Sequence, residues 1–198
     1  MRILVTVDIL SFWRVGTGHG QSSTFDAVCA RDADRLPYVP GRQMRGLFRE
    51  AVTDAIELEW LTGLNEVDLF GSRSTVDAED LGPASTKGTL RFENSRLPRT
   101  DRDAIRADQS LIDRLFDTKR STSIDAETMT AKARSLRFEE VAIPLKLFTT
   151  ITPLTGAPVG WDVALITASP LIRGVGSGRN RGLGRCRVTC KRLEAVDA

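Results

Sequence analysis

The fold of this chain is decided by the stretch Leu36-Pro37-Tyr38-Val39-Pro40-Gly41-Arg42-Gln43-Met44-Arg45-Gly46-Leu47-Phe48-Arg49, where a stiff extended segment passes into a helix. Each proline fixes its own φ angle and pushes the residue before it toward an extended conformation. The helix is therefore not expected to begin before Gly41. The sequence predicts a rigid entry into a helix that continues to about Trp60 and ends before Gly63.

This helix carries an apolar face and a separate basic face. The basic face consists of Arg42, Arg45 and Arg49, which follow i, i+3, i+7 spacing. Free N–H groups at a helix N-terminus and planar guanidinium groups both suit phosphate, so one interpretation is a polyanion site. A solvated helix face is the other interpretation, because runs of charge usually have no further role. The residues expected to face the core are Met44, Leu47, Phe48, Ala51, Ala55 and Leu58.

Length, charge and cysteine content narrow the class of protein. The 198 residues are enough for one domain with its own core. The net charge of +2 is too small to favour any particular class of partner. Residues 163–193, however, contain seven basic and no acidic side chains, which predicts a basic surface. Cys29, Cys186 and Cys190 form no Cys-x-x-Cys pair, which favours a reducing compartment. Without a long apolar run, the sequence predicts a cytoplasmic protein and no membrane partner.

The order of the expected elements gives the fold class. Period-two alternation predicts strands, and apolar residues at helical spacing predict helices. The expected elements are a strand at 2–9, a helix at 41–60, strands at 89–94 and 141–147, a helix at 161–172 that Pro170 kinks or shortens, and a strand at 185–193. This β-α-β-β-α-β order predicts an α+β, ferredoxin-like (RNA-recognition-motif-like) fold with an antiparallel sheet.

An insertion is expected between the second and third core strands. A helix start at Pro98 and an apolar face predict a helix within residues 98–117. Residues 119–137 lack a steady period and are rich in Ser, Thr and basic residues, which predicts an exposed, thumb-like excursion such as a hairpin. Pro144 places the strand at 141–147 at an edge or a bulge. The expected division is a single domain at 1–198, with its core at about 1–97 and 138–198 and its insertion and thumb at about 98–137.

Residues 174–184 form a glycine-rich loop that contains arginines. The loop fails the dinucleotide-binding fingerprint, because Arg181 stands where a third glycine is required and a strand follows instead of a helix. It also lacks the Gly-Lys-Ser/Thr ending of a P-loop. Exposed N–H groups beside Arg179, Arg181 and Arg185 suit a ribose-phosphate backbone, and a flexible turn is the alternative.

Few residues can supply acid–base or metal chemistry. His19 is the only histidine, which excludes a His-rich metal centre and leaves one imidazole for proton transfer. Asp26, Asp32 and Asp34 lie close together before the proline segment. An aspartate near RNA phosphate could hold a divalent cation, since magnesium favours few carboxylates plus phosphate oxygens. Loop aspartates that cap turns are the alternative.

Four motifs carry a family resemblance. They occur in the order 24–32, 36–41, 44–49 and 178–184, with support from 69–71, 88–92 and 123–141. Together they resemble the RAMP superfamily of CRISPR-associated proteins, and within it the repeated backbone subunit of type III interference complexes. The likeness covers most of the chain, and the Pro-Gly element together with the terminal Gly-Arg-Gly-Leu-Gly motif is its most specific part.

The resemblance implies a function in antiviral defence. The core would bind guide RNA (crRNA) and polymerise along it with other copies of itself and other subunits of the complex. Thumbs would displace base pairs between guide and target RNA, and Ile124 or Met129 would be the apolar wedge. Asp26 occupies the position of the aspartate that cuts target RNA, which implies an endoribonuclease with a divalent cation, magnesium being the expected ion, held at Asp26. The expected RNA-binding residues are Arg42, Arg45, Arg49, Lys119, Arg120, Lys132, Arg134, Gly178, Arg179, Asn180, Arg181 and Gly182.

The sequence departs from the family pattern in two places, and three alternative functions stay open. Arg42-Gln43 stands where relatives commonly have small hydroxyl residues, and the insertion at about 98–117 is larger than expected. The chain could be a structural RNA-binding subunit without catalysis, or a guide-processing endonuclease of the same superfamily that uses His19 as its base. A ferredoxin-like protein unrelated to RNA is the third alternative.

Overall fold

The structure is a computed structural model that describes residues 1–16, 25–72 and 86–193. These ranges contain six strands and four α-helices, together with short 3-10 turns. In chain order they are β1 (Arg2–Ile9), α1 (Gly41–Glu57), α2 (Glu66–Phe70), β2 (Leu90–Phe92), α3 (Arg99–Ala107), β3 (Phe116–Ser121), β4 (Arg137–Ala142), β5 (Lys146–Pro153), α4 (Trp161–Ala168) and β6 (Cys186–Leu193). Within the described ranges, every helix is too short or too polar to cross a membrane.

Four strands form the main sheet. Their order is β2-β5-β1-β6, and each neighbouring pair is antiparallel. In the middle of the sheet, Val5 pairs with Thr149 of β5 and with Cys190 of β6. When α2, α3, β3 and β4 are set aside, the described chain runs β1-α1-β2-β5-α4-β6. The predicted α+β class with an antiparallel sheet is confirmed, and the described elements follow the predicted order.

One core joins the main sheet to helices α1 and α4. The side chains of β1 alternate, so that Ile3, Val5, Val7 and Ile9 are buried while the residues between them are partly exposed. Burial of each large apolar side chain contributes about 1.5–3 kcal/mol before the entropy of ordering the chain is subtracted. Helix α1 adds Met44, Leu47, Phe48, Ala51, Val52 and Ala55 to the core, and α4 adds Trp161, Ala164, Leu165 and Ala168.

Helix α1 begins at Gly41, as predicted. A Cβ atom at this position would clash with the backbone oxygen of Phe92, so the close approach of β2 requires glycine here. The Gly41 N–H donates to Asn94 Oδ1 at 2.9 Å, which satisfies one of the free donors at the helix start. The N-terminus of α1 is therefore fixed against the segment that follows β2.

The predicted end of α1 near Trp60 is wrong. The helix stops at Glu57, and the chain then turns through Glu59, whose φ is 60°. Leu58, which was expected to face the core, is 54% exposed because it lies beyond the last helical residue. The prediction failed because Leu58 fits the helical spacing of the apolar residues although the backbone has already left the helix.

The alternating run at 141–147 was predicted as one strand, and this prediction is wrong. Val141 belongs to β4 and Leu147 to β5, which lie in different sheets. Pro144 lies in the connection, where it has no N–H to donate and restricts Ile143. The Ile143 N–H instead donates to the carbonyl of Leu115 at 3.0 Å.

The insertion contains a helix and a hairpin. The helix predicted within residues 98–117 ends at Ala107, and two 3-10 turns at 109–111 and 113–115 follow it. Strands β3 and β4 then form an antiparallel pair in register from Phe116 opposite Ala142 to Ser121 opposite Arg137. A hairpin is therefore present in the stretch expected to leave the core, while the division of the chain into core and thumb stays a prediction.

Candidate nucleic-acid interface

The glycine-rich loop at residues 174–184, called the Gly-Arg loop below, has a fixed conformation. The Ser177 N–H donates to the carbonyl of Arg14 at 2.7 Å, and the Gly184 N–H donates to the carbonyl of Phe12 at 2.8 Å. Gly184 has a φ of 66°, and a Cβ atom there would clash with a neighbouring backbone carbonyl. Glycine is required for this path, and the loop is anchored to the segment after β1 instead of being a free turn.

A groove with a volume of about 700 Å³ lies between the Gly-Arg loop and the β3–β4 hairpin. Five cationic side chains and one carboxylate line it, and we call it the basic groove. The lining residues are Arg14, Lys119, Ser121, Thr122, Arg137, Glu139, Gly176, Gly178, Arg179, Asn180, Arg181 and Leu183. Several cations in one open groove suit a chain of phosphates, whose affinity for proteins comes mainly from such charges.

The register of the hairpin explains which of its side chains line this groove. Lys119 stands opposite Glu139, and Ser121 stands opposite Arg137. Side chains alternate between the two faces of a strand, so these four share one face of the hairpin. All four line the basic groove, which makes this face one of its walls.

Two arginines of the basic groove already contact carboxylates. Arg14 Nη2 lies 3.2 Å from Oε1 of Glu139, inside the groove. Arg179 Nη1 lies 3.2 Å from Oε2 of Glu50, which projects from α1. The other three cationic side chains of the groove make no ion pair within the described ranges. The groove therefore keeps an excess of positive charge.

The arginines of α1 do not line the basic groove. Arg45 donates to the backbone carbonyl of Phe70, and Arg49 donates to that of Gly71. Both arginines therefore satisfy carbonyl groups at the C-terminal end of α2, where such groups have no partner within the helix. Arg42 is exposed. The structure thus separates two basic patterns that the sequence placed in one functional class.

Two of the three neighbouring aspartates stabilise the local fold. Asp32 Oδ1 accepts from the N–H groups of Asp34 and Leu36 at 3.0 and 3.1 Å, which closes a turn. The carboxylate of Asp34 accepts from Arg102 at 2.6 Å and from Arg106 at 2.9 Å. These hydrogen bonds, with the one from Arg102 the stronger, hold the pKa of Asp34 below its usual range. Asp32 thus has the turn-capping role that was the alternative to metal binding, whereas Asp34 pairs with two arginines of α3.

Asp26 lies beside β4, the strand that forms a wall of the basic groove. Its N–H donates to the carbonyl of Phe138 at 2.9 Å, and its Oδ2 accepts from the Phe138 N–H at 2.8 Å. Phe138 is flanked in the chain by Arg137 and Glu139, which both line the groove. Asp26 is exposed and, unlike the other two aspartates, has no ion pair with a described residue.

A divalent cation at Asp26 would need ligands from outside the described protein. The described residues contain no group of three or more His, Cys, Asp or Glu side chains that could hold a metal ion. A single exposed carboxylate does fit a magnesium ion that keeps water and takes phosphate oxygens from a bound nucleic acid. The donor set at Asp26 is therefore compatible with a cation that takes its remaining ligands from a bound nucleic acid.

A match to the RAMP superfamily model covers residues 6–187. The chain belongs to the RAMP superfamily. Its fold is similar to that of a chain in the cryo-EM structure of the Type III-B Cmr-beta bound to cognate target RNA, with a TM-score of 0.64, 11% identity, and coverage of 96% of this chain and 97% of that chain. For a chain of Type III-B Cmr-beta in the apo state the TM-score is 0.65 and the identity 10%, with coverage of 97% and 98%. A comparison with curated proteins finds no match.

The tip of the hairpin in this RAMP protein is an ordered turn that exposes apolar side chains. Asp125 Oδ1 accepts from the N–H groups of Glu127 and Thr128 at 3.0 and 3.1 Å. Met129 follows with a φ of 53° and is 75% exposed, and Ile124 is 54% exposed. Both candidate wedge residues therefore project from a turn that backbone and side-chain hydrogen bonds hold in place.

Other predicted RNA-binding residues lie away from the basic groove. Lys132 Nζ is 3.9 Å from the carboxylate of Asp125 at the hairpin tip, where Arg134 is exposed. The Arg120 guanidinium lies 5.8 Å from the ring centre of Phe138, on the hairpin face opposite the groove. His19, the candidate base of the alternative endonuclease, lies outside the described residues.

Sequence patterns indicated five of the twelve residues that line the groove of this RAMP chain. The predicted residues that the structure brings together there are Lys119, Gly178, Arg179, Asn180 and Arg181. Gly182, with a φ of 81°, shapes the same loop without lining the groove. Arg14 and Arg137 were missed: Arg14 has no basic residue near it in the sequence, and Arg137 was not selected from the basic stretch at 119–137. A signal for Arg137 does exist, since it closes the hairpin that the sequence predicted and shares a face with Lys119.

Proposed function

We propose that this RAMP protein is a guide-RNA (crRNA)-binding backbone subunit of a cytoplasmic type III CRISPR effector complex. The observation that supports this most directly is the basic groove, in which the Gly-Arg loop and the hairpin meet. Membership of the RAMP superfamily and a fold shared with chains of Type III-B Cmr-beta structures agree with it. The partners would be guide RNA, target RNA, further copies of this chain in a filament, and the other subunits of the complex.

The guide backbone would lie in the basic groove. Three of its five cations have no carboxylate partner in the described chain and can each contact a phosphate oxygen, with release of counterions from the RNA. Ser121, Thr122 and Asn180 add neutral donors and acceptors suited to ribose hydroxyl groups. Such contacts read the shape and charge of the backbone and leave the bases free to pair with a target.

Target cleavage would take place at Asp26. The 2′-oxygen of a target ribose would form a bond to the adjacent phosphorus while the bond to the 5′-oxygen breaks. The products are a 2′,3′-cyclic phosphate and a 5′-hydroxyl. Asp26 would orient the 2′-hydroxyl, or hold a divalent cation, expected to be magnesium, that supplies charge stabilisation at the phosphate. The hydrogen bonds to Phe138 hold Asp26 beside β4, and a target paired to the guide would have to pass this strand to reach the carboxylate.

The hairpin tip would separate guide and target at the cut site. Met129 and Ile124 expose apolar surface that can insert between bases, as apolar wedges do in other nucleic-acid complexes. Splaying one linkage allows the in-line approach that attack by the 2′-oxygen requires. Asp26, in the loop after β1, is hydrogen-bonded to β4 of the hairpin whose tip carries the wedge residues.

RNA binding can be tested with the full chain and a labelled single-stranded RNA. The double variant Lys119→Gln/Arg181→Gln removes two groove charges and should lower the slope of log affinity against log salt by roughly 1–2. The matched control is Arg187→Gln/Lys191→Gln, which removes two exposed charges from β6. Equal effects in the two double variants would show that overall charge, and not the groove, binds RNA.

Cleavage can be tested with Asp26→Asn in the assembled complex, with a complementary target RNA and magnesium. Asparagine keeps an oxygen that accepts from the Phe138 N–H, so the local fold is retained while the negative charge is lost. We expect guide binding to persist and cutting to fall by at least about 100-fold, the scale of a lost catalytic group. Asp117→Asn, an exposed aspartate on β3, is the control. Cutting that persists at the regular sites would contradict the role of Asp26.

A structural subunit without catalysis is the second candidate, and one observation favours it. The hydrogen bonds between Asp26 and Phe138 give this aspartate a structural role that needs no reaction. The same experiment separates the candidates, because a structural subunit would bind guide and target tightly and leave the target intact in the presence of magnesium with the unmodified chain.

A further inference from the structure

The two carboxylates that contact arginines of the basic groove differ in burial. The Arg14 and Glu139 side chains are 14% and 21% exposed. The Arg179 and Glu50 side chains are 41% and 61% exposed. Water and salt screen an exposed pair, so that its exchange for another partner costs little. A pair that is mostly buried is screened less, and removal of one partner leaves a charge without compensation.

The positions of the two pairs support the same distinction. The carbonyl of Arg14 accepts from Ser177 in the Gly-Arg loop, and its guanidinium contacts Glu139 in β4, so Arg14 joins both walls of the groove. Glu139 is the only described residue that accepts a hydrogen bond from the Arg14 guanidinium, so further Nη donors remain, whereas Arg14 Nε is buried and has no hydrogen-bond partner among the described residues. Glu50, in contrast, reaches Arg179 from α1 and is not part of the groove lining.

We propose that Glu139 positions Arg14 to contact RNA phosphate, whereas Glu50 competes with RNA phosphate for Arg179. This inference rests on the proposed binding of RNA in the basic groove. Glu139 stays in place when RNA binds, because it fixes a guanidinium that spans both walls. Glu50 leaves Arg179 when RNA binds, because a phosphate of the polyanion takes over the same donor.

The two glutamates therefore have opposite effects on affinity. Substitution of either by glutamine removes one negative charge, and long-range electrostatics alone would strengthen RNA binding in both cases. The proposal expects binding to strengthen for Glu50→Gln and to weaken for Glu139→Gln. A difference in sign cannot come from net charge.

The experiment measures the affinity of the full chain for a labelled single-stranded RNA at several salt concentrations. We expect Glu50→Gln to bind roughly two- to fivefold more tightly, the range that an exposed ion pair allows. We expect Glu139→Gln to bind roughly fivefold more weakly, as for the loss of one oriented contact. Glu57→Gln, which changes an exposed glutamate of α1 that contacts no groove arginine, is the matched control for the loss of one negative charge, and Glu50→Gln should bind RNA more tightly than this control.

A double variant tests whether Glu139 acts through Arg14. On the Arg14→Gln background, Glu139→Gln should cause no further loss of affinity, because there is no guanidinium left to position. Thermal unfolding shows whether each variant folds. If Glu139→Gln is unfolded, Arg14→Lys tests the same step, since it keeps the charge but loses the planar group that Glu139 orients. It should bind more weakly, and an unchanged affinity would overturn the proposal.

The outcomes separate this inference from the proposed function. Salt-dependent binding by the unmodified chain with opposite changes in the two glutamate variants supports the inference. Salt-dependent binding with changes of the same sign overturns the inference and leaves the proposed function standing. No salt-dependent binding by the unmodified chain overturns the proposed function and this inference with it.

Discussion

Helix α1 and the Gly-Arg loop are both rich in arginine, and the structure uses them differently. Arg45 and Arg49 of α1 donate to backbone carbonyls at the end of α2, so they connect two helices of the fold. Arg179 and Arg181 of the Gly-Arg loop line the basic groove, where Arg181 has no ion pair with a described residue. The two basic patterns therefore differ in their surroundings, because the donors of Arg45 and Arg49 have backbone partners whereas Arg179 and Arg181 line an open groove.

Helix α1 and the Gly-Arg loop also differ in what their glycines do for the backbone. Gly46 of α1 is exposed, and a Cβ atom there would meet nothing within 4 Å. Gly184 of the Gly-Arg loop has a positive φ, and a Cβ atom there would clash with the carbonyl of Val175. One glycine is a weak point in a helix, and the other determines the path of the loop. Substitution of these two glycines by alanine should therefore change the free energy of unfolding by different amounts and in opposite directions.

The largest effect is expected for Gly184→Ala. The new side chain would face both a left-handed backbone and a clash, so the unfolding free energy should fall by about 3 kcal/mol or more, with loss of RNA binding. Gly46→Ala should instead raise it by about 0.5–1 kcal/mol, because alanine is the better helix former. Chemical denaturation measures both. Similar effects of the two substitutions would contradict the claim that Gly184, unlike Gly46, is required by the backbone path.

The next effect is expected for Arg45→Ala. Loss of the guanidinium leaves the carbonyl of Phe70 without its partner, and the unfolding free energy should fall by about 1–2 kcal/mol. RNA affinity at fixed salt should change little, because Arg45 does not line the groove. Denaturation and RNA titration on the same sample provide the two readouts. A variant of full stability with much weaker RNA binding would show that α1 binds RNA after all.

Arg181→Gln should weaken RNA binding without loss of stability, the reverse of the result expected for Arg45→Ala. Its affinity for single-stranded RNA should fall roughly fivefold, and the salt slope should decrease by about 1, since one phosphate contact is lost. The midpoint of thermal unfolding should stay the same, because the side chain has no ion pair with a described residue. A lower midpoint with unchanged RNA affinity would show that Arg181, like Arg45 and Arg49 of α1, serves the stability of the fold.

The smallest effect is expected for Asp34→Asn, and it depends on pH. The pKa of Asp34 is lowered in the folded state, so its contribution to stability is present above the pKa of the unfolded chain and is lost as the pH falls through the lower, folded value. The variant should be less stable than the unmodified chain near neutral pH, and the difference should vanish in acid. Thermal unfolding across this range measures it, and a difference that grows in acid would contradict the assignment.

Local signals in the sequence were enough to predict most of the fold. Alternation marked β1, and Gly41 after Pro40 marked the start of α1, because both depend on neighbouring residues. The end of α1 and the strand at 141–147 were wrong. In both places the apolar pattern continued, at Leu58 and at Leu145, while the backbone changed direction. The periodicity of apolar residues in a sequence does not show where the backbone changes direction.

The candidate site was harder to predict because its parts are distant in the chain. The arginines of the Gly-Arg loop were found as a local motif, but Arg14 and Glu139 enter the groove only when the segment after β1 packs between the loop and β4. Asp32 and Asp34 resemble Asp26 in the sequence, and their hydrogen bonds distinguish them in the structure. The selection of Asp26 for target cleavage stays a prediction from the family resemblance.

The sequence by itself determined the α+β class, the start of α1 and the presence of a Gly-Arg loop, because periodicity, proline geometry and glycine content act over short distances. Only the tertiary structure decided which arginines line the basic groove. Arg42, Arg45 and Arg49 are as basic as Arg179 and Arg181, but packing gives Arg45 and Arg49 carbonyl partners and brings the loop arginines to a groove opposite β4. The availability of a charge depends on its neighbours in space, which local sequence does not specify.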